Sequence, residues 1–77
     1  MFLELIIPQI GKKYYIRASP SVSGKDLLNC LLNLLDADGY TITMIHVNDS
    51  KILSEEIPLC NQGIRSGERI LICMNLL

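Results

Sequence analysis

Residues 23–39, SGKDLLNCLLNLLDADG, decide how this chain folds, because they contain its one convincing helix. Ser23 followed three residues later by Asp26 resembles a capping box, with Asp in place of the usual Glu or Gln. Apolar residues then recur with the period of a helix: Leu27, Leu28, Leu31, Leu32, Leu34 and Leu35. Residues 36–39, DADG, then end the helix, with Gly39 free to adopt positive φ. The stretch therefore predicts one helix of about three to four turns, capped at Ser23, whose leucine stripe must cover the face of a sheet.

Strand patterns lie on both sides of this helix. A β-hairpin precedes it, since Leu3, Leu5 and Ile7 share one face of the first strand and a turn at residues 11–13 leads into the second. The predicted strands are residues 2–7, 14–18, 40–47, 51–53 and 68–74, with a short helical turn at residues 59–63 before the last one. The first and last strands are the most apolar, which favours central positions and parallel pairing between them. These elements predict an α+β fold of the β-grasp type, in the order ββαβ(β)β, with a mixed sheet wrapped on one helix.

The same patterns predict which side chains form the core. Ten residues from the helix and the inward-facing strand positions are expected to be buried: Leu3, Leu5, Ile16, Leu27, Leu31, Ile42, Leu59, Ile64, Ile70 and Ile72. A chain of 77 residues buries about 60% of its extended surface, which is enough for one modest core and too little for a deep catalytic cleft. We therefore expect residues 1–77 to form one domain.

Composition and charge exclude several classes of function. The chain is 49% hydrophobic and 19% charged, which argues against disorder. A net charge of −1 provides no electrostatic basis for binding nucleic acid or an anionic membrane. No apolar run approaches the ~20 residues of a membrane span, so we expect no direct membrane insertion. Cys30, Cys60 and Cys73 are odd in number and widely spaced, which favours small apolar fillers in a reducing, cytoplasmic compartment over a disulfide framework.

Residue types that carry chemistry are present without a pattern that would use them. His46 is the one histidine and lies at a strand end, where a half-exposed polar residue is the common outcome. The carboxylates of Glu55 and Glu56 diverge from a loop, and Lys12-Lys13 lacks the glycine pattern of a phosphate-binding loop. A zinc site would need two of the distant thiols gathered around His46. We therefore expect no catalytic residue, no cofactor and no metal.

A surplus of apolar residues is the feature that points to a function. Strand alternation places six of them on the sheet face that the helix leaves uncovered: Phe2, Ile6, Ile45, Val47, Leu71 and Cys73. A contiguous exposed apolar patch usually marks a partner site. The alternatives are that a loop or chain terminus covers the face, or that the residues are scattered. The sequence thus predicts that these six residues bind a protein partner, or a second copy of the chain as a homodimer.

Two stretches resemble ubiquitin and its relatives. Ala18-Ser19-Pro20-Ser21, leading to the hydroxyl cap at Ser23, is similar to the strand, proline and threonine cap of ubiquitin. Residues 59–70, LCNQGIRSGERI, resemble the leucine, turn, isoleucine, tight turn and final strand of that fold. Modifiers and sulfur carriers of this class end in Gly-Gly, whereas residues 74–77 read MNLL. The alternative reading, a ubiquitin-like modifier or sulfur carrier, is therefore disfavoured.

Among relatives without that tail, the chain is most similar to the bacterial YukD/EsaB family. The similarity lies in Leu59, Ile64, Gly67-Glu68 and the apolar run Ile70-Leu71-Ile72. Membership implies a non-catalytic, accessory cytosolic component of a type VII secretion system. It also implies protein partners among the secretion components, including membrane-associated ones.

Overall fold

A computed structural model describes all residues from Met1 to Leu77 and contains five strands and one α-helix. The strands are β1 (Phe2–Ile7), β2 (Lys12–Arg17), β3 (Tyr40–His46), β4 (Lys51–Ile52) and β5 (Arg69–Leu76). The helix, α1, is Gly24–Leu35, and short 3-10 helices cover Pro8–Ile10 and Leu59–Gln62. None of the helices has the length and apolar character that crossing a membrane requires. The order of the strands and of α1 is the one predicted from the sequence. The 3-10 helix Pro8–Ile10 was not predicted, and β2 begins at Lys12, inside the turn predicted at residues 11–13.

The five strands form a single mixed sheet in the order β2-β1-β5-β3-β4. The two most apolar strands, β1 and β5, are central and parallel, as predicted, with Leu5 opposite Ile70. Every other pair is antiparallel. Past the end of β1, the side-chain amide of Gln9 replaces a strand: its Oε1 accepts from the Met74 amide at 2.6 Å and its Nε2 donates to the Met74 carbonyl. The long β5 is therefore paired on both sides almost to its end.

The start of α1 follows from local sequence. Asp26 N donates to Ser23 Oγ at 3.1 Å, and Ser23 N donates to Asp26 Oδ2 at 3.2 Å, so the predicted capping box is confirmed. Gly24 is required here, because a Cβ at this position would lie 2.1 Å from the carbonyl oxygen of Ser54. The helix ends at the predicted stretch, residues 36–39, although the capping residue is Asp36 and not Gly39. Asp36 caps the helix with a φ of 49°, a conformation that Asp tolerates, and Gly39 lies in the turn before β3.

The core lies between α1 and one face of the sheet. Eight of the ten predicted core residues are buried, whereas Ile16 and Ile42 are half-buried at its margin. The prediction missed Ile7, Met44 and Leu53, which are buried. The leucine stripe of α1 is also narrower than predicted, since one helix lying on one sheet buries only the residues that point at the sheet. Leu27 and Leu31 are buried by this contact. By contrast, Leu32 is 40% exposed and Leu34 is 46% exposed.

Candidate functional site: the outer face of the sheet

The sheet face opposite α1 is covered by no other element, and a row of apolar side chains crosses it. Strand register aligns the members of the row, because Ile6 lies opposite Leu71, Leu71 opposite Ile45, and Ile45 opposite Ile52. Each alternates along its strand with buried residues such as Ile70 and Ile72, so the row points away from the core. We call these four residues the apolar row. Four adjacent strands thus present a continuous line of Ile and Leu side chains.

The structure separates the six predicted partner-binding residues into a central group and two outliers. Ile6, Leu71 and Ile45 are three consecutive members of the apolar row, and all three are half-buried. Cys73 is half-buried on the same face, one outward position further along β5 and opposite Thr43. These four are brought together as the sequence predicted.

The two outliers lie at the ends of their strands. Val47 is 38% exposed just beyond β3, where its amide donates to the Arg69 carbonyl at 3.2 Å. Phe2 is 56% exposed and lies two outward positions from Ile6, with Glu4 between them. Phe2 is therefore separated from the apolar row by a charged residue.

Ile52 belongs to the apolar row and was not among the predicted residues. It is 72% exposed on the edge strand β4. The signal was present in the turn residues 48–50, NDS, because a hairpin there sets β4 against β3 and places Ile52 opposite Ile45. The turn and the short strand were predicted from the sequence, but the register between β3 and β4 was not.

Charged side chains border the apolar row on β2 and at the start of β5. The Glu4 carboxylate lies between two cations, with Oε1 3.8 Å from Lys13 Nζ and Oε2 3.9 Å from Arg69 Nε. Arg17 lies over the ring of Phe2, its guanidinium carbon 4.9 Å from the ring centroid. The border therefore has three cations for one carboxylate, and the outer face is basic although the whole chain has a net charge of −1.

Two surface depressions accompany these features. A cleft of about 230 Å³ lies at the β1–β2 end of the face, lined by Phe2, Leu3, Glu4, Tyr15 and Gly67. A more polar one of about 450 Å³ lies beside β4 and includes Ile52 and Gln62. Both are open and shallow, so the outer face is shaped for contact with another macromolecular surface more than for enclosing a small molecule.

His46 is buried, contrary to the sequence prediction that it is half-exposed. It is 4% exposed, and its Nε2 lies 2.5 Å from Glu68 Oε2. The same carboxylate accepts from Asn48 Nδ2 and from the Arg65 amide, both at 2.7 Å. An ionised carboxylate only accepts hydrogen bonds, so His46 Nε2 is the donor in this contact. Through these hydrogen bonds Glu68 links the end of β3 to the start of β5.

The cysteines also differ from expectation. Cys30 and Cys60 are exposed and Cys73 is half-buried, so none of the three fills the core as predicted. All three are free thiols. Cys30 and Cys60 lie on elements whose buried faces are supplied by leucines, such as Leu27 and Leu59.

No family model and no curated protein matches this sequence. Solved structures do resemble the fold. A computationally designed protein based on the template of human erythrocytic ubiquitin, solved by NMR, has a TM-score of 0.80 at 20% identity, covering 99% of this chain and 92% of that one. A chain in the crystal structure of ATBAG1 in complex with HSP70 has a TM-score of 0.82 at 12% identity. The match covers 97% of this chain and 40% of that one, so the present chain spans less than half the length of this neighbour.

These likenesses concern the backbone, because at such identities the side chains of a binding surface are not shared. They agree with the parallel central pair, the single helix and the five-strand order described above. The chain therefore has a ubiquitin-like β-grasp fold.

Proposed function

We propose that this chain is a non-catalytic protein-interaction module that binds a protein partner through the outer face of its sheet. The observation that carries the proposal is the apolar row, in which Ile6, Leu71, Ile45 and Ile52 continue across four strands with no element over them. The fold by itself does not decide the function, whereas a contiguous exposed apolar patch on the surface is typical of a partner site. The neighbour in complex with HSP70 is compatible with this proposal.

The composition of the face suits a protein partner. The centre of a protein interface is apolar and the border is polar. Here Leu71 is central, flanked by Ile6 and Ile45, while Lys13, Arg17 and Arg69 lie at the border. The row is already held by paired strands, so binding would require little ordering of the backbone.

The cellular setting follows from the resemblance to YukD/EsaB proteins. We propose that the chain acts in the cytoplasm as an accessory component of a bacterial type VII secretion system, and that its partner is one of the secretion components. The sequence features that support this assignment are Leu59, Ile64 and the Gly67-Glu68 turn before the last strand.

Leu71→Glu tests the binding face. The carboxylate would have to be desolvated at the centre of any interface on this face, so binding should be lost. Folding should be nearly intact, because Leu71 faces away from the core. The matched control is Leu34→Glu, which makes the same change at a leucine that is 46% exposed on α1. Circular dichroism melts establish that both variants fold.

The binding measurement uses the tagged chain in lysate from its own host. We expect one protein to be captured by the wild type and by Leu34→Glu and lost with Leu71→Glu, and mass spectrometry identifies it. Capture that Leu71→Glu does not change would contradict the role of the outer face. An unfolded Leu71→Glu variant would show that the residue is buried and the register wrong.

The secretion role has a separate test. Deleting the gene should lower export of type VII substrates, and complementation with Leu34→Glu, but not Leu71→Glu, should restore it. Normal export in the deletion strain would refute the secretion role and leave the binding face to be judged by the capture experiment.

A further inference from the structure

Charged side chains are divided unequally between the two sides of the molecule. The outer face has Lys13, Arg17 and Arg69 around a single carboxylate, Glu4. On α1, the turn after it and the loop packed on its first turn, Lys25 is the one cation among five exposed carboxylates: Asp26, Asp36, Asp38, Glu55 and Glu56. Lys12 and Lys51 point to the same side of the sheet from its two edge strands. We call these five carboxylates the acidic side. The remaining charges lie in the turns and at the strand ends: Arg65, Asp49 and Glu68.

The acidic side is a single region of the surface. Asp26 lies on α1, Asp36 caps it, and Asp38 follows in the next turn. The loop that holds Glu55 and Glu56 packs on the first turn of α1, where Lys25 N donates to the Glu55 carbonyl at 2.7 Å. None of the five carboxylates takes part in an ion pair, whereas the Lys13–Glu4 and Arg69–Glu4 pairs both lie on the outer face.

Apolar side chains accompany the acidic side as well. Leu34 is 46% exposed on α1, and Ile57, next to the acidic pair, is 44% exposed. A surface of this composition complements the outer face in both respects, with negative charge for its basic border and apolar area for its apolar row.

We propose that copies of this chain associate head to tail, with the outer face of one copy seated on the acidic side of the next. This goes beyond the proposed function and uses the same face that it assigns to the partner. A symmetric dimer formed through two outer faces is disfavoured, because it would bring the Lys13, Arg17 and Arg69 cations of one copy against those of the other. The head-to-tail contact pairs opposite charges at every interface.

The size of the molecule sets the strength of this association. The molecule measures only 29 × 23 × 21 Å along its principal axes, so one side of it offers at most about the ~800 Å² per partner of a standard protein interface. The contact is therefore weak and concentration-dependent, as in transient complexes. Because the contact joins two different surfaces, the copies at the two ends of an oligomer each keep one free surface. Further copies therefore add until the rotation between neighbours closes a ring, and where it does not close the assembly is an open filament.

Two charge-reversed variants of the purified chain test the proposal by sedimentation velocity. The sheet variant is Lys13→Glu/Arg17→Glu, and the acidic-side variant is Glu55→Lys/Glu56→Lys. The wild type should form oligomers as its concentration approaches millimolar. Each variant alone should associate at least about tenfold more weakly, because one side of every interface then meets its own charge. A 1:1 mixture should recover association, since the unchanged outer face of one variant meets the unchanged acidic side of the other.

The matched control is Lys12→Glu/Lys51→Glu. It makes the same charge change as the sheet variant, but Lys12 and Lys51 lie opposite the buried Ile7 and His46 and so are off the outer face. This control should associate within about 1.5-fold of the wild type. Raising the salt concentration from about 0.05 M to about 0.5 M should weaken the wild-type oligomer, because the paired charges are exposed.

Each contrary result overturns the proposal. A wild type that stays monomeric at millimolar concentration refutes self-association and leaves partner capture through Leu71 untouched. An acidic-side variant that associates like the wild type indicates contact between two outer faces, and a mixture that stays monomeric excludes the complementary pairing. If circular dichroism shows the sheet variant unfolded, Lys13→Gln/Arg17→Gln replaces it. The neutral pair removes the same cations, with an expected loss of about threefold, and an unchanged association would count against the contact.

Discussion

The two faces of the sheet are built from the same residue types and have opposite fates. Ile70 and Ile72 of β5 are fully buried against α1, whereas Leu71 between them faces outward beside Ile6 and Ile45. Hydrophobicity alone cannot tell these residues apart. Successive side chains along a strand point to opposite faces of the sheet, and this alternation decides which residues stabilise the fold and which are available to a partner.

Truncating the centre of the covered face should have the largest effect. Leu31 is fully buried on α1. Leu31→Ala should lower the free energy of unfolding by about 2–5 kcal/mol through lost burial and the cavity left behind, a large share of the stability of so small a domain. Urea denaturation measures the change. A loss below about 1 kcal/mol with an unchanged denaturant slope would show that Leu31 is not in the core.

Glu68→Ala should come next, because Glu68 joins the strands that carry both faces. The change removes the acceptor of His46 Nε2 and of the Arg65 amide, leaving a buried donor without a partner. We expect the free energy of unfolding to fall by about 1–3 kcal/mol. Glu56→Ala is the control, since its exposed side chain makes no hydrogen bond, and it should stay within about 0.5 kcal/mol of the wild type. Equal losses in the two variants would mean that the Glu68 contacts contribute nothing.

Removing the N-cap of α1 should lower the free energy of unfolding by a smaller amount, and it acts on the side of the sheet that α1 covers. Ser23→Ala deletes the acceptor of the Asp26 amide and should cost about 1 kcal/mol. Ser23→Gly should cost only a few tenths of a kcal/mol, because glycine is tolerated at this position. Thermal melts of the two variants check the difference, and a costlier glycine would contradict the capping role of the Ser23 hydroxyl.

The covered face could be predicted from sequence because its signals are local or periodic. The Ser23 cap and the central pairing of β1 and β5 follow from capping chemistry and from the run of apolar residues. The errors arose where tertiary context decides. His46 has the sequence surroundings of an exposed strand end, and it is buried because Glu68, 22 residues away, supplies a partner.

The open face was predictable in outline and not in extent. Side-chain alternation along each strand predicted that Ile6, Ile45 and Leu71 point outward. Which residues join the apolar row also depends on the register between strands, and that register places Ile52 opposite Ile45. The net charge of the whole chain likewise concealed how charge is distributed over the surface. A value of −1 averages the basic outer face and the acidic side, and only the fold assigns each charged residue to one of them.

Ile52→Glu should have the smallest effect on stability. It therefore best separates an effect on binding at the outer face from an effect on the core. Ile52 is 72% exposed on a two-residue edge strand, and a charge on an edge strand is a common natural device. The free energy of unfolding should therefore change by no more than about 0.5 kcal/mol.

If partner contact extends along the whole apolar row to β4, the same substitution should weaken capture of the partner identified with the wild-type chain. Ile57→Glu, which places the same charge at a residue 44% exposed on the acidic side, should leave that capture unchanged. Titrating the purified partner against both variants by isothermal calorimetry measures the difference. Loss of binding with Ile52→Glu alone would extend the partner site to the edge of the sheet, whereas equal affinity for the two variants would confine it to Ile6, Leu71 and Ile45, the part of the row that side-chain alternation alone had indicated.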